Sequence, residues 1–262
     1  FISHFFYSLF IYMSTIGILI PLCSRNQDWK KIYDIDFFKN FLPYFHYSIS
    51  NKHEYRFYLA IDENDKFLIN KKEEIETCLH KNDKIIIVDK SYNGNPYGIW
   101  NLLLEEAKDD CEYFYQCGAD ISHITKDWDN YFINTLKKNN NVGFTGGIDK
   151  HFWIERIIRD QSGILENVFF HKTHYEIFGR FINPAFKSWF GDDYLSQIYR
   201  STNSIFISSS HWYTNTNRVG GHQEEVNRYK PTTEMQDKWM NIAIEDSKII
   251  KHFLEKSIDK NK

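Results

Sequence analysis

Along the first half of the chain, apolar residues fall by turns into short unbroken runs and into stripes spaced three and four apart, the pattern of strands alternating with helices. Ile16-Gly17-Ile18-Leu19-Ile20, closed by Pro21, reads as a buried first strand. Trp29, Ile32, Tyr33, Phe37, Phe38, Phe41 and Leu42 then repeat at helical spacing, predicting a helix over 29–45 that stops near Pro43. A second strand over 55–61 runs straight into Asp62-Glu63-Asn64-Asp65, and a short polar helix over 71–80 follows. Lys84-Ile85-Ile86-Ile87-Val88-Asp89 is an unbroken β-branched run of the kind found in central parallel strands. Asn93-Gly94-Asn95-Pro96 turns the chain into a helix over 97–108, with Trp100, Leu103, Leu104 and Ala107 on one face. The fourth strand, 113–117, stops abruptly at Gly118-Ala119-Asp120. Four strand and helix alternations predict an α/β fold: a Rossmann-like, mostly parallel sheet with helices on both faces.

The second half is less regular. A helix is predicted over 127–138, a strand over 141–145 and a sharp turn at Gly146-Gly147. A strand over 164–170 leads into His171-Lys172-Thr173-His174 and a short helix ending at Gly179. Around Trp189 another helix begins, carrying Gly191-Asp192-Asp193 in its first turn and burying Tyr194, Leu195, Ile198 and Tyr199. A last strand covers 204–209, a polar segment 211–230, and a final amphipathic helix starts at Pro231 with Met235, Trp239, Ile242, Ile249, Phe253 and Leu254 inward. The organisation expected is a leader over 1–12, a first half over 13–125, a second half over 126–230 and a C-terminal helix over 231–262, all in one domain.

Lys and Arg number 32 against 35 Asp and Glu, a formal charge of -3, so the broad basic field of a nucleic-acid binder is absent and no nucleic-acid partner is expected. Aromatics make up 18% of the chain and recur throughout, which assigns most of them to the core. Cys23, Cys78, Cys111 and Cys117 lie far apart without zinc spacing and are expected as reduced structural thiols in a cytoplasmic protein. Phe1 to Ile20 is apolar enough to raise a membrane-span or signal-peptide reading. With Met13 read as a natural start and 16–20 as a strand, too few residues remain for a span, and none is expected.

No GxGxxG or GxxxxGK[ST] follows any predicted strand, which removes the main support for a dinucleotide or P-loop site. What parallel strands would gather instead at their carboxyl ends is Arg25, Asp62 and Asp120. A lone carboxylate beside two small residues suits a divalent metal carrying phosphate oxygens. Taken singly, Asp120 reads equally as a turn cap and Arg25 as a solvated loop cation.

Those pieces, in that order, resemble the nucleotide-sugar-dependent glycosyltransferases of the GT-A fold, most closely uncharacterised members from large DNA viruses and protists. The resemblance rests on the tyrosine-rich strand running into Gly118-Ala119-Asp120, on Phe186-Lys187-Ser188-Trp189-Phe190-Gly191-Asp192-Asp193, and on Arg228-Tyr229. It implies a UDP-sugar donor, a hydroxyl-bearing acceptor and Mn²⁺ or Mg²⁺. By the same resemblance Pro21, Arg25, Asp62, Trp100, Gly118, Ala119 and Asp120 hold the nucleotide sugar, and Asp120 with either His211 or His222 holds the metal. The family's Asp-x-Asp is reduced here to its last acid, since Gly118 stands where the first would be. Asp192-Asp193 resembles the acidic pair that supplies a general base in inverting members; both are catalytic candidates, Asp193 is taken as the base, and helix capping is the alternative for one of the pair. His171, His174, Trp189 and Trp212 are candidates for the acceptor side, against core packing. Two rivals stand beside a transferase of hexose: a non-catalytic glycan- or nucleotide-binding module, and a metal-dependent phosphoesterase or nuclease using Asp120, Asp192, Asp193 and a His.

Overall fold

The computed structural model describes residues 14–24, 27–150, 163–215 and 233–259. Among these, one mixed sheet contains β1 (Thr15–Leu22), β2 (Glu54–Asp62), β3 (Lys84–Val88), β4 (Tyr113–Gln116), β5 (Ile121–His123), β6 (Phe144–Asp149), β7 (Val168–His171) and β8 (Ile205–Asn215). Their order is β3-β2-β1-β4-β7-β6-β8-β5. The pairs β1/β2, β2/β3, β1/β4 and β6/β8 are parallel, while β4/β7, β6/β7 and β5/β8 are antiparallel. The mostly parallel α/β sheet expected from the apolar pattern is present.

Period-two alternation decides which face each strand residue serves. Ile16, Ile18, Ile20 and Leu22 of β1 join Phe57, Leu59, Tyr113 and Tyr115 in one core, while Leu19 faces the other with Tyr58, Ala60 and Phe114. The first core is closed by Phe37, Phe41 and Phe45, whose rings stack at 5.7 and 5.5 Å along successive turns and meet the edge of Phe57. The second is closed by the Pro96–Ala107, Gly191–Arg200 and Thr233–Asp259 helices through Leu103, Leu104, Leu195, Ile198, Ala243 and Ile250. Buried Asp246 pins the last helix by accepting from Tyr194 Oη, Asn183 Nδ2 and Arg180. Ile249, expected inward, is 43% exposed.

Four local expectations are corrected. Pro43 does not end its helix: it sits in the first turn of the Leu42–Ser48 α-helix, behind a widened π turn over Phe37–Phe41. A proline inside a helix removes one N–H and crowds the carbonyl four residues back, and the wider turn relieves both. β3 is an edge strand pairing with β2, not a central one; an unbroken β-branched run does not reveal which neighbours will flank it. Gly146 and Gly147 lie within β6 rather than in a turn. A Cβ on Gly146 would come 2.7 Å from the Asn167 carbonyl and one on Gly147 2.5 Å from that of His211, so both glycines permit close backbone approach, at a register shift against β8. Finally, β8 continues to Asn215 instead of ending at 209.

Candidate functional site

Strand order reverses at β1: the chain steps outward to β2 and β3, then returns to lay β4 on the other side of β1. In open α/β sheets the crevice beyond the carboxyl ends at such a point receives ligands. The registers say what is delivered there. Leu22 pairs with Ile61, which sets Asp62 beside Cys23, and Leu19 pairs with Gln116, which carries Gly118 alongside Pro21 when continued by two residues. Pairing of β1 with β4 ends at this point, because Pro21 has no N–H to donate.

A cleft of about 200 Å³ opens between those two strand ends. Pro21, Trp100, Gly118, Ala119 and Asp120 line it, so the structure brings together five of the residues picked out in the sequence. Trp29, Ile35 and Asp36 add to its wall, with Leu22, Cys23 and Gln27. Trp100 reaches it from the Pro96–Ala107 helix, started by Asn95, whose Oδ1 accepts from the Gly98 amide at 2.9 Å. The Trp100 indole is held by donating Nε1 to the Leu19 carbonyl at 3.2 Å. A neighbouring cleft of about 400 Å³ shares Cys23 and is lined by Ser24, Asp62, Asn64, Asp65, Lys66, Phe67 and Asn93. Asp62, the last residue of β2, lies on its rim and accepts from the Asn64 amide at 2.8 Å. Asp65 caps the Lys66–Asn70 helix and also accepts from Ser24 N at 2.7 Å and Ser24 Oγ at 2.6 Å, tying the loop after β1 to the loop after β2. Arg25 and His222, as well as Arg228-Tyr229 and the leader 1–12, lie outside the described residues.

Asp36 was not singled out in the sequence, where it is one polar residue between Ile35 and Phe37. In the fold it faces the same cleft as Asp120. Its carboxyl group is raised above the usual carboxylate range mainly by burial; a hydrogen bond from Asn40 opposes this, and the charge of Asp120 adds to it. At Gly118 a Cβ would lie 2.3 Å from Asp120 Oδ1, so the acid folds back over space that only glycine leaves open. Among the described residues no three His, Cys, Asp or Glu side chains gather into a metal cage. A pair of hard carboxylates on an open cleft fits Mg²⁺ or Mn²⁺ held chiefly through phosphate oxygens, which asks for only one or two protein acids.

His211 is placed elsewhere. It lies inside β8, its ring 4.2 Å from that of Tyr131 and its Nδ1 2.6 Å from Ser208 Oγ, and burial lowers its pKa. Ile121 pairs with Asn215, so Asp120 is carried toward the far end of β8, more than four residues or roughly 13 Å along the strand from His211. His211 is therefore within the last strand and not just past it, where the sequence pattern predicts it; residues 216–232 lie outside the described residues. His171 and His174 serve packing. His171 pairs with Tyr113 at the amino end of β4, the opposite sheet edge from Asp120, and its Nδ1 is bound to Thr173 Oγ1 at 2.7 Å. The His174 ring is buried between Tyr199 Oη at 2.8 Å and the Phe181 carbonyl at 2.7 Å. Trp189 is exposed and precedes its helix, and Trp212 is part of β8.

Asp192 and Asp193 do occupy the first turn of the Gly191–Arg200 helix. Tyr97 Oη donates to Asp192 Oδ1 at 3.2 Å, and a Cβ on Gly191 would lie 2.1 Å from the Tyr97 ring. Tyr97 in turn lies one turn before Trp100 with ring centroids 5.7 Å apart, so the acidic pair and the strand-end cleft stand on either side of two adjoining rings. Burial and the nearby Asp192 carboxylate raise the Tyr97 pKa well above its ordinary value, keeping the phenol a donor.

No family model matches the chain, and no curated protein does either. Solved structures do. S. aureus TarS, residues 1–349, superposes with a TM-score of 0.53 at 13% identity over 90% of this chain and 80% of that one. GalNAc-T7 with UDP, GalNAc and Mn²⁺ gives 0.55 at 10% identity over 78% of this chain and 44% of that one, so the chain spans less than half of GalNAc-T7. At such identities the likeness concerns architecture, and the architecture is the GT-A-like, Rossmann-type fold of these glycosyltransferases.

Proposed function

We propose that this protein is a metal-dependent glycosyltransferase that moves a hexose from a UDP-sugar to a hydroxyl-bearing acceptor with inversion, related to the viral and protist members its motifs resemble. One observation carries the reading: Pro21, Trp100, Gly118, Ala119 and Asp120, picked out as donor-binding residues by motif alone, converge on one cleft at the switch point of the sheet. Its support is strengthened by a fold shared with structures that bind UDP, one of them alongside Mn²⁺. In this reading Asp62, with Arg25, faces the base and diphosphate, and Asp120, with His222 as the remaining histidine candidate, holds the metal. A bound Mn²⁺ or Mg²⁺ offsets charge on the leaving diphosphate. Asp193 accepts the acceptor hydroxyl's proton as that oxygen bonds to the anomeric carbon and UDP departs with the electron pair of the broken C–O bond.

The test is a melting series with UDP and several UDP-hexoses, with Mn²⁺ and with EDTA, followed by transfer assays with and without acceptor. Ligand at 100 times its dissociation constant stabilises the folded state by about 2.7 kcal/mol, a readily measured shift. The parent is expected to respond to UDP with Mn²⁺, and Asp120→Asn to lose the Mn²⁺-dependent part while melting normally alone. A variant that responds as the parent does removes Asp120 from the site. Because Gly118 replaces an acid, the binding-module reading keeps support too; it is favoured if donor binds but neither transfer nor donor hydrolysis occurs.

A further inference from the structure

We propose that Asp36 supplies the second protein carboxylate toward the donor-site divalent cation, across the cleft from Asp120, in place of the acid that Gly118-Ala119-Asp120 lacks. The inference rests on the glycosyltransferase reading and adds a residue from a different part of the chain to it.

Three observations place Asp36 there. First, buried Ile35 and Phe37 on either side anchor the backbone in the aromatic core, while Asp36 itself lines the cleft with Gly118, Ala119 and Asp120. Second, capping and ion pairing, two of the local jobs open to an acid at this position, are undone. It stands at the start of the Phe37–Phe41 turn yet makes no capping bond to that turn's backbone. One carboxylate oxygen accepts from Asn40 Nδ2 at 2.8 Å, and no ion pair to Asp36 forms among the described residues. Third, the other acid lining the cleft is Asp120, which folds back over Gly118. Two half-buried carboxylates sharing one cleft repel each other, and the repulsion becomes attraction once a divalent cation sits between them. A shorter motif is then no defect: the helix after β1 returns the missing acid to the site.

Titration calorimetry on the full chain tests this, with UDP as titrant in saturating Mn²⁺ and again in EDTA, for the parent, Asp36→Asn, Asp36→Glu and Asp120→Asn. Asparagine is nearly isosteric and still accepts from Asn40, so Asp36→Asn is expected to fold and, free of the like charge, to melt no lower than the parent. If circular dichroism shows otherwise, Asp36→Ser takes its place. The expected result is a loss of at least about tenfold in UDP affinity with Mn²⁺, unchanged affinity in EDTA, and recovery within a few-fold in Asp36→Glu. Equal affinity of Asp36→Asn and parent in Mn²⁺ overturns the proposal. So does an equal loss in EDTA, which marks a contact to ribose or base instead of metal. In both cases an Asp120→Asn variant that loses its Mn²⁺ response leaves the glycosyltransferase reading standing. A parent indifferent to Mn²⁺ and UDP overturns both.

Discussion

The two sides of the proposed site are built by different means. On the donor side, β2, β1 and β4 lie next to one another and run the same way, so the residues at or just past each strand's carboxyl end arrive at one edge by construction: Asp62, Pro21 and Gly118 to Asp120. On the other side the chain reverses through β7, and candidates that look alike in sequence part company. Among the described residues His171 goes to the far edge, His174 into the core and His211 to the middle of β8, while the Asp192-Asp193 pair comes up beside the donor cleft, through Tyr97 and Trp100. Parallel neighbours turn order in sequence into adjacency at a site; antiparallel ones do not.

The comparison is broken most sharply at Asp193. If the acidic pair faces the acceptor while the donor is held by β1, β2 and β4, Asp193→Asn keeps shape and hydrogen bonding but cannot take a proton, and transfer is expected to fall by about 10²-fold or more. UDP affinity in Mn²⁺ should stay within a few-fold of the parent. A variant that binds UDP poorly but transfers normally per bound donor would put Asp193 on the donor side and undo the division.

A second test asks whether the histidines beyond β7 are core groups. Burial holds the His174 and His171 rings down to about 4, well below the 6.5 of a free imidazole. The unfolded chain therefore takes up protons that the folded chain refuses as pH falls below 6.5, so stability is full above that value and is lost progressively toward pH 4. From pH 7 to 5, His174 alone should lower unfolding free energy by about 2 kcal/mol in urea titrations, and His174→Gln should flatten that slope. A pH-independent parent would place these rings in solvent, where an acceptor-binding role returns.

Strand ends were legible because a buried run bounded by small residues announces itself locally: 113–117 followed by Gly118-Ala119-Asp120 needs no knowledge of partners. Neighbour-dependent features were not. The isoleucines of β3 carry no mark of an edge, and Gly146-Gly147 gives the same signal for a turn as for two backbones pressed together. Ser208, Ser209 and Ser210 hid the continuation of β8, which is sustained by pairing with β6 and β5 on either side and by burial of Tyr213. Asp36 was hidden most completely. Its only sequence signal is an acid between two core residues at a helix start, and its meaning comes from sharing a cleft with Gly118, Ala119 and Asp120, more than eighty positions away.

The smallest expected effect separates the two acids of the pair. Tyr97 donates to Asp192, not through a helix cap but across from the neighbouring helix, and Phe190 at the cap position contributes no side-chain bond. Removing the hydroxyl in Tyr97→Phe leaves a partly exposed carboxylate that water can reach, so the cost in stability should be only about 1 kcal/mol. If Asp193 is the base, the pH profile of transfer should keep its acidic limb where the parent has it, because the lost bond belongs to Asp192. If Asp192 is the base, losing a donor that favours its ionised form must raise its pKa and move that limb to higher pH. A shifted limb with unchanged UDP affinity would therefore exchange the roles of the two aspartates while leaving the donor cleft untouched.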